Sequence, residues 1–185
     1  MNVLMLAGCI QAKMAWQKVE EKVAEAKERA SIPPMECDAP VDEGEPVGCI
    51  SGTLRCGDVV EGTTEGGDDL WDDPFYARHF CFPAGDDYGG PERVYRLEVP
   101  ANQDVTIRLD SDCVDLDVAA LAWDYAGKCP TVNHNIPECE STNRSGGGKV
   151  RLNTFKARDY LVVVDGKKRE TGTFRLTVQC KDLVR

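Results

Sequence analysis

From Gly172 to Cys180 the chain reads Gly-Thr-Phe-Arg-Leu-Thr-Val-Gln-Cys, with Phe174, Leu176 and Val178 on one phase and Thr173, Arg175 and Thr177 on the other. A period of two is the signature of a strand with one buried and one wet face. Such a strand needs a second layer to cover its apolar side. The limb before it, Tyr160-Leu-Val-Val-Val164, is apolar on both phases and β-branched, which predicts a strand lying centrally in a sheet. Asp165-Gly166 and Gly172 punctuate the connection, so the two limbs are expected as a closing hairpin.

The same period recurs upstream. Arg93–Val99 alternates through Tyr95, Leu97 and Val99, and the next run through Val105, Ile107 and Leu109. Further strands are expected over Asp115–Trp123 and Lys149–Phe155, and over Thr53–Val60 as a strand pair broken at Gly57-Asp58. Tyr76–Phe82 also reads as strand-like, between two Gly- and Asp-rich loops, Gly62–Pro74 and Pro83–Pro91, while Gly127–Gly148 reads as one long connection. About eight short strands with Gly/Asp turns predict an all-β fold, a jelly-roll-like antiparallel β-sandwich over residues 50–182. Only 7% of the 185 residues are aromatic, so its core is expected to be built from Val and Leu.

The N-terminal part differs. Residues 1–9 end in Leu6-Ala7-Gly8-Cys9, which resembles the bacterial lipobox, although no basic region and only eight residues precede the cysteine. Over residues 10–30, Ala12, Trp16, Val19, Val23, Ala26 and Ala30 recur at helical spacing, predicting an amphipathic helix with a narrow seam. Two readings stay open for it, a solvated spacer and a helix that packs on a partner or on the domain. Ser31-Ile-Pro-Pro34 stops it, and the Pro- and acid-rich stretch to Cys49 reads as a linker.

Nine cysteines occur, and setting Cys9 aside leaves eight: Cys37, Cys49, Cys56, Cys81, Cys113, Cys129, Cys139 and Cys180. There is no CxxC, and His79 and His134 are far apart, so zinc-ligand spacing is absent. Disulfides in an oxidising compartment account better for the even number. Proximity in sequence favours Cys129–Cys139, then Cys37–Cys49 and Cys56–Cys81.

Five segments taken together, Glu92–Val99, Val105–Asp110, Asp115-Leu-Asp117-Val, Tyr160–Gly166 and Gly172–Val178, resemble the bacterial pre-peptidase C-terminal domain. The resemblance spans roughly residues 50 to 180. It implies a small jelly-roll-like sandwich that is not itself catalytic and accompanies exported enzymes. Some members of that family resemble collagen- or polysaccharide-binding modules, and some bind calcium, so the resemblance implies both as possibilities to test.

A net charge of −10 argues against nucleic-acid binding and against adsorption to anionic lipid. G-x-S-x-G, H-E-x-x-H and P-loop motifs are absent. Neither His79 nor His134 is flanked by a nucleophile motif, and the Asn143-Arg-Ser145 sequon reads as a chance match. Two acidic clusters offer oxygen ligands for calcium: Asp110, Asp112, Asp115 and Asp117, and then Asp68, Asp69, Asp72 and Asp73. Turn hydrogen bonding by Asp115 or Asp117 competes with the first, and solvated loop acids are the competing reading for both. Trp71, Phe75, Tyr76 and Tyr88 are expected either as an exposed platform for a sugar or peptide or as core.

The expectation is therefore a non-catalytic, exported binding or accessory module, with calcium as a candidate cofactor. It would be anchored to the membrane through a lipid on Cys9 and face the periplasm or the cell surface, or else be secreted. Its partner would be an envelope protein or a polysaccharide. One alternative is a regulator or inhibitor of an exported hydrolase, docking by a strand edge or the Lys128–Glu140 loop. The other is a secreted hydrolase using a carboxylate pair. Lipid anchoring predicts that Cys9→Ser moves the protein from the detergent to the aqueous phase; identical partitioning of the two proteins in membrane fractionation rejects the anchor.

Overall fold

A computed structural model describes residues 13–20, 22–24, 26–27, 32–37, 48–83, 85–125, 128–142 and 146–183. The chain divides into two units, Met1–Pro34 and Met35–Arg185. In the first, residues 13–20, 22–24 and 26–27 are helical, and Trp16, Val19 and Val23 of the apolar seam are exposed. No helix among the described residues is long and apolar enough to cross a membrane. Cys9, the 38–47 linker and the 143–145 sequon lie outside the described residues.

The second unit is a β-sandwich. Its described elements are β1 (Gly52–Leu54), β2 (Val59–Thr63), α1 (Asp73–His79), β3 (Arg93–Val99), β4 (Gln103–Asp110), β5 (Leu116–Ala122), β6 (Cys139–Thr142), β7 (Gly147–Thr154), β8 (Arg158–Gly166) and β9 (Thr173–Asp182). A five-stranded sheet runs β1-β3-β8-β5-β6 and a four-stranded sheet β2-β9-β4-β7. Every pairing is antiparallel except β1 with β3.

β8 is central, as its two apolar faces predict. It does not form a hairpin with β9, however. The two strands lie in opposite sheets, and β9 pairs instead with β2 and β4. The Thr53–Val60 pair divides in the same way, β1 going to one sheet and β2 to the other. Turn residues between two strands specify a reversal of direction, and crossing to the facing sheet satisfies that as well as a hairpin does. The long connection contains one more short strand, β6, beside β5.

Tyr76–Phe82 is the clearest departure from expectation. Asp73–His79 is helical because Asp72 caps it, its carboxylate accepting the Phe75 amide at 3.1 Å, with Pro74 in the first turn. The aromatic residues there gave a strand-like composition, while Asp-Asp-Pro had already marked a helix start.

Between the sheets lies an aliphatic core: Leu97 and Val99 from β3, Ile107 and Leu109 from β4, Val162 and Val164 from β8, and Phe174, Leu176 and Val178 from β9. The outer face of the five-stranded sheet is also apolar, through Val94, Ala119, Leu121, Leu161 and Val163. The chain between β2 and β3 covers it, packing Trp71, Phe75, Tyr76, Phe82 and Tyr88 against it. This third layer is called the cap below. At the start of β7, Gly147 has φ +99° and sits directly against the Leu109 carbonyl, where a Cβ has no room.

All eight cysteines are paired, as Cys37–Cys113, Cys49–Cys129, Cys56–Cys180 and Cys81–Cys139. The three pairings expected from proximity are therefore wrong. Sequence separations are 58 to 124 residues, because spatial neighbours come from strands that follow one another in space and not in sequence. Cys81 reaches β6 from the cap, whereas Cys56 stands in the turn that crosses between sheets and meets β9. A non-reducing peptide map is expected to recover these four pairs. In the chain-entropy picture a loop of this length gives about 4 kcal/mol. Cys81→Ala with Cys139→Ala is expected to lower chemical-denaturation stability by up to that amount, and an unchanged midpoint would contradict the pairing.

Candidate functional site

Two strands place a pair of carboxylates directly opposite one another. Asp117 of β5 and Asp165 of β8 are antiparallel partners in register, on the face turned toward the cap. Both are buried, at 1% and 0% exposure. Each receives a tyrosine from the cap: the Tyr88 hydroxyl donates to Asp117 at 2.5 Å and the Tyr76 hydroxyl to Asp165 at 2.6 Å. The Asp165 carboxylate also accepts the Gly166 amide at 2.7 Å, and Lys167 Nζ stands 3.2 Å from Asp117 and 3.6 Å from Asp115. At the other end of the cap, Glu92 accepts the Leu70 amide at 3.0 Å, and its second oxygen has no hydrogen-bond partner among the described residues. Arg93 donates to the carbonyls of Thr63 and Glu65 at 2.8 Å each, which ties the cap's first residues to β3.

Burial dominates the titration of this cluster. It pushes Glu92 up to about 9, with nearby Asp165 and Asp69 adding to the effect. Asp165 is pushed up to about 8 by burial, against the opposing hydrogen bonds from Tyr76 and Gly166. Asp117 rises only to about 6, since Tyr88 and Lys167 favour its ionised form. Both tyrosines are raised, first by burial, so they stay protonated donors. Perturbed acids of this kind attend catalytic sites as well as structural ones. Here the hydroxyls of the cap occupy the face that a substrate would have to reach.

The expected calcium ligands do not converge. Asp110 is on β4, in the other sheet from Asp117, and accepts from Arg108 at 3.0 Å. Asp115 and Asp117 share Lys167, and Asp112 is exposed. In the second cluster Asp72 caps α1, and Asp73 accepts the amides of Gly85 and Tyr88 at 3.1 and 3.0 Å, which organises the cap. Among the described residues no group of three or more His, Cys, Asp or Glu is placed to hold a metal ion.

The aromatic platform is corrected outright. Trp71, Phe75, Tyr76 and Tyr88 are buried at 2%, 2%, 0% and 0% exposure, so none presents a face to a sugar. Trp71 stacks on Phe75 at 4.8 Å, and Phe82 on Tyr88 at 4.5 Å. The reason is the apolar outer sheet face, which needs this much aromatic surface to cover it. His79 is in the last turn of α1 and not mid-strand; it is buried against Phe75, and burial lowers its pKa. His134 is exposed, its ring edge-on to Trp123 and its Nδ1 accepting the Thr131 amide at 2.9 Å.

Beyond the cap's edge the same outer phases turn charged. Val94 is followed on that face by Arg96 and Glu98, and Leu161 is preceded by Asp159. There a groove of about 730 Å³ opens, lined by Arg55, Arg96, Glu98, Asp124, Arg158 and Asp159 together with the turns after β3 and before β8. Arg96 bridges Asp159 at 2.6 Å and Glu98 at 3.1 Å, while Arg158 pairs with Glu138 at 3.0 Å. The sequence carried one signal for this place, the polar phase of β3 interrupting an otherwise apolar outer face. Read alone, that phase looks like an ordinary solvated strand face.

Among solved structures the chain is similar to the pre-peptidase C-terminal domain of a collagenase from Bacillus anthracis, at 13% identity and TM-score 0.44, covering 69% of this chain and 93% of that one. It is also similar to PliG of Aeromonas hydrophila, a periplasmic inhibitor of g-type lysozyme, at 13% identity and TM-score 0.40, covering 70% and 96%. A third is CorA, a surface-associated copper-binding protein of Methylomicrobium album, at 10% identity and TM-score 0.42, covering 72% and 99%. At these identities the likeness concerns the fold and carries nothing about ligands. No family model and no curated protein matches the chain.

The buried acids set a pH dependence. Glu92 and Asp165 keep their protons in the fold at pH values where the unfolded chain has released them, so their contribution is fully present below the ordinary carboxylate range and is lost as pH rises toward about 8 to 9. Thermal midpoints are expected to fall from pH 5 to pH 9, and Glu92→Gln with Asp165→Asn to flatten that slope. A wild-type midpoint that rises across the same window would reject this account.

Proposed function

We propose that the protein is an exported, non-catalytic binding module whose ligand sits in the charged groove beside the cap. The observation that supports this most directly is the groove's lining, three guanidinium groups interleaved with three carboxylates on a disulfide-stapled sheet. Guanidinium forks and carboxylates together supply paired donors and acceptors, which suit the vicinal hydroxyls of a polysaccharide or the backbone of a protein loop. The volume is of the order that ligand clefts use, roughly 300–1,000 Å³. Four disulfides support an oxidising, extracytoplasmic setting. Anchoring through Cys9 completes the reading, with the N-terminal helix as its spacer.

A hydrolase using a carboxylate pair is less well supported, because Asp117 and Asp165 are sealed beneath two tyrosines. The inhibitor reading has one observation in its favour. The Lys128–Glu140 loop is stapled at both Cys129 and Cys139, and it is further held by Trp71 Nε1 on the Pro130 carbonyl at 2.9 Å and Trp123 Nε1 on that of Lys128 at 2.7 Å. A rigid loop of this kind loses little entropy on docking.

The groove is tested by equilibrium binding to purified cell-wall polysaccharides and to envelope proteins. Arg96→Ala with Arg158→Ala is expected to weaken binding at least tenfold while the protein stays folded by circular dichroism. Equal affinity of the variant, or no binding by the wild type to either class, would remove the groove from consideration.

A further inference from the structure

The charges in the middle of the groove are matched within the protein. Arg96 donates to Asp159 through Nε at 3.1 Å and Nη2 at 2.6 Å, and its Nη1 meets Glu98 at 3.1 Å. Arg158 is held by Glu138 at 3.0 Å. Arg55 and Asp124 line the same groove and are exposed. Neither of their side chains has an ion pair or a hydrogen bond among the described residues.

Strand register puts these two at opposite flanks. Leu54, Leu97, Tyr160 and Ala122 are successive cross-strand partners in β1, β3, β8 and β5. Arg55 follows Leu54 directly and Asp124 follows Ala122 by two residues, so a cation stands at the β1 flank and an anion at the β5 flank. Three strand spacings of roughly 4.8 Å lie between them, or about 14 Å. Glu98 and Asp159, themselves partners in register, fill the interval with Arg96 bridging both. A neutral sugar chain laid here would strip water from both flanking charges and return no counter-charge. A polymer of one sign would meet a like charge at one flank. In an extended peptide, side chains at i and i+4 share a face and stand about 13 Å apart, which matches the span.

We infer that the groove takes an extended peptide laid across the strand ends, with an acidic side chain on Arg55 and, four residues away, a basic one on Asp124. This rests on the reading of the groove as the binding site and names the ligand class that site takes. The paired side chains of the groove floor act on the peptide backbone, offering it their remaining N–H groups and carboxylate lone pairs. Their mutual pairing holds them still, so little entropy is lost when the peptide arrives.

The test is an amide NMR titration of the full chain with a capped Glu-Ala-Ser-Ala-Lys peptide and its controls. The controls carry Gln in place of either charged residue, Glu and Lys side by side, Lys at both ends, or Glu at both ends. The wild type is expected to bind the first peptide at least tenfold more tightly than any control, and less tightly as salt is raised. Arg55→Glu is expected to lose that peptide at least tenfold and to prefer the one with two lysines, and Asp124→Lys to prefer the one with two glutamates. A preference that changes sign with the substituted residue cannot come from misfolding. The inference is overturned by equal binding of the Gln controls or of the adjacent-charge peptide, by unchanged preference in either variant, or by no peptide binding at all. Binding of a neutral wall oligosaccharide that depends on Arg96 and Arg158, with no peptide bound, overturns it while leaving the groove reading standing.

Discussion

Two strands buried on both faces decide how the β-sandwich unit is layered. Every residue of β5 is buried, as is β8 from Tyr160 to Gly166. A two-layer sandwich would leave Ala119, Leu121, Leu161 and Val163 in water, so a third layer is obligatory. The chain supplies it from the stretch between β2 and β3, where aromatic residues are concentrated. Four of the chain's five phenylalanines and tyrosines in that stretch lie in the second core, together with Trp71. The exception is Phe80.

Covering an apolar face does not fix where the cover sits. The polar contacts do that. Tyr76 and Tyr88 reach through the aromatic layer to Asp165 and Asp117, which are cross-strand neighbours, so the two hydroxyls locate the cap along the strands. Burying carboxylates is unfavourable; burial favours the protonated form of Glu92 and Asp165, while Asp117 is paired with Lys167. Cys81–Cys139 then ties the end of α1 to β6, and Cys49–Cys129 ties the entry of the domain to the loop that Trp71 touches. With the cap fixed, the outer face is divided into a covered apolar part and an open charged groove.

Strand existence was readable because period two is a local property of the chain. Tyr95, Leu97 and Val99, and likewise Phe174, Leu176 and Val178, lie on the inner face as their alternation implies. The helix at Asp73–His79 was also written locally, in Asp72 and Pro74, but a run of aromatic residues with high strand propensity obscured it. The platform reading failed, and the four acids Asp110 to Asp117 are not one cluster, for a common reason. Composition places Asp110 and Asp117, or Trp71 and Tyr88, near one another in sequence, while the side chains are sent to different sheets or turned inward.

Alternation and counting were enough to read an all-β sandwich, its central strand, and eight cysteines available for disulfides. It took the folded chain to set β8 and β9 in opposite sheets instead of pairing them, to bond each of the eight cysteines across 58 to 124 residues, and to turn Trp71, Phe75, Tyr76, Phe82 and Tyr88 inward. Pairing across a sandwich depends on which distant strands become neighbours, and no local pattern carries that. The physical reason is the second apolar face of β5 and β8, whose need for cover is met only when the whole chain is in place.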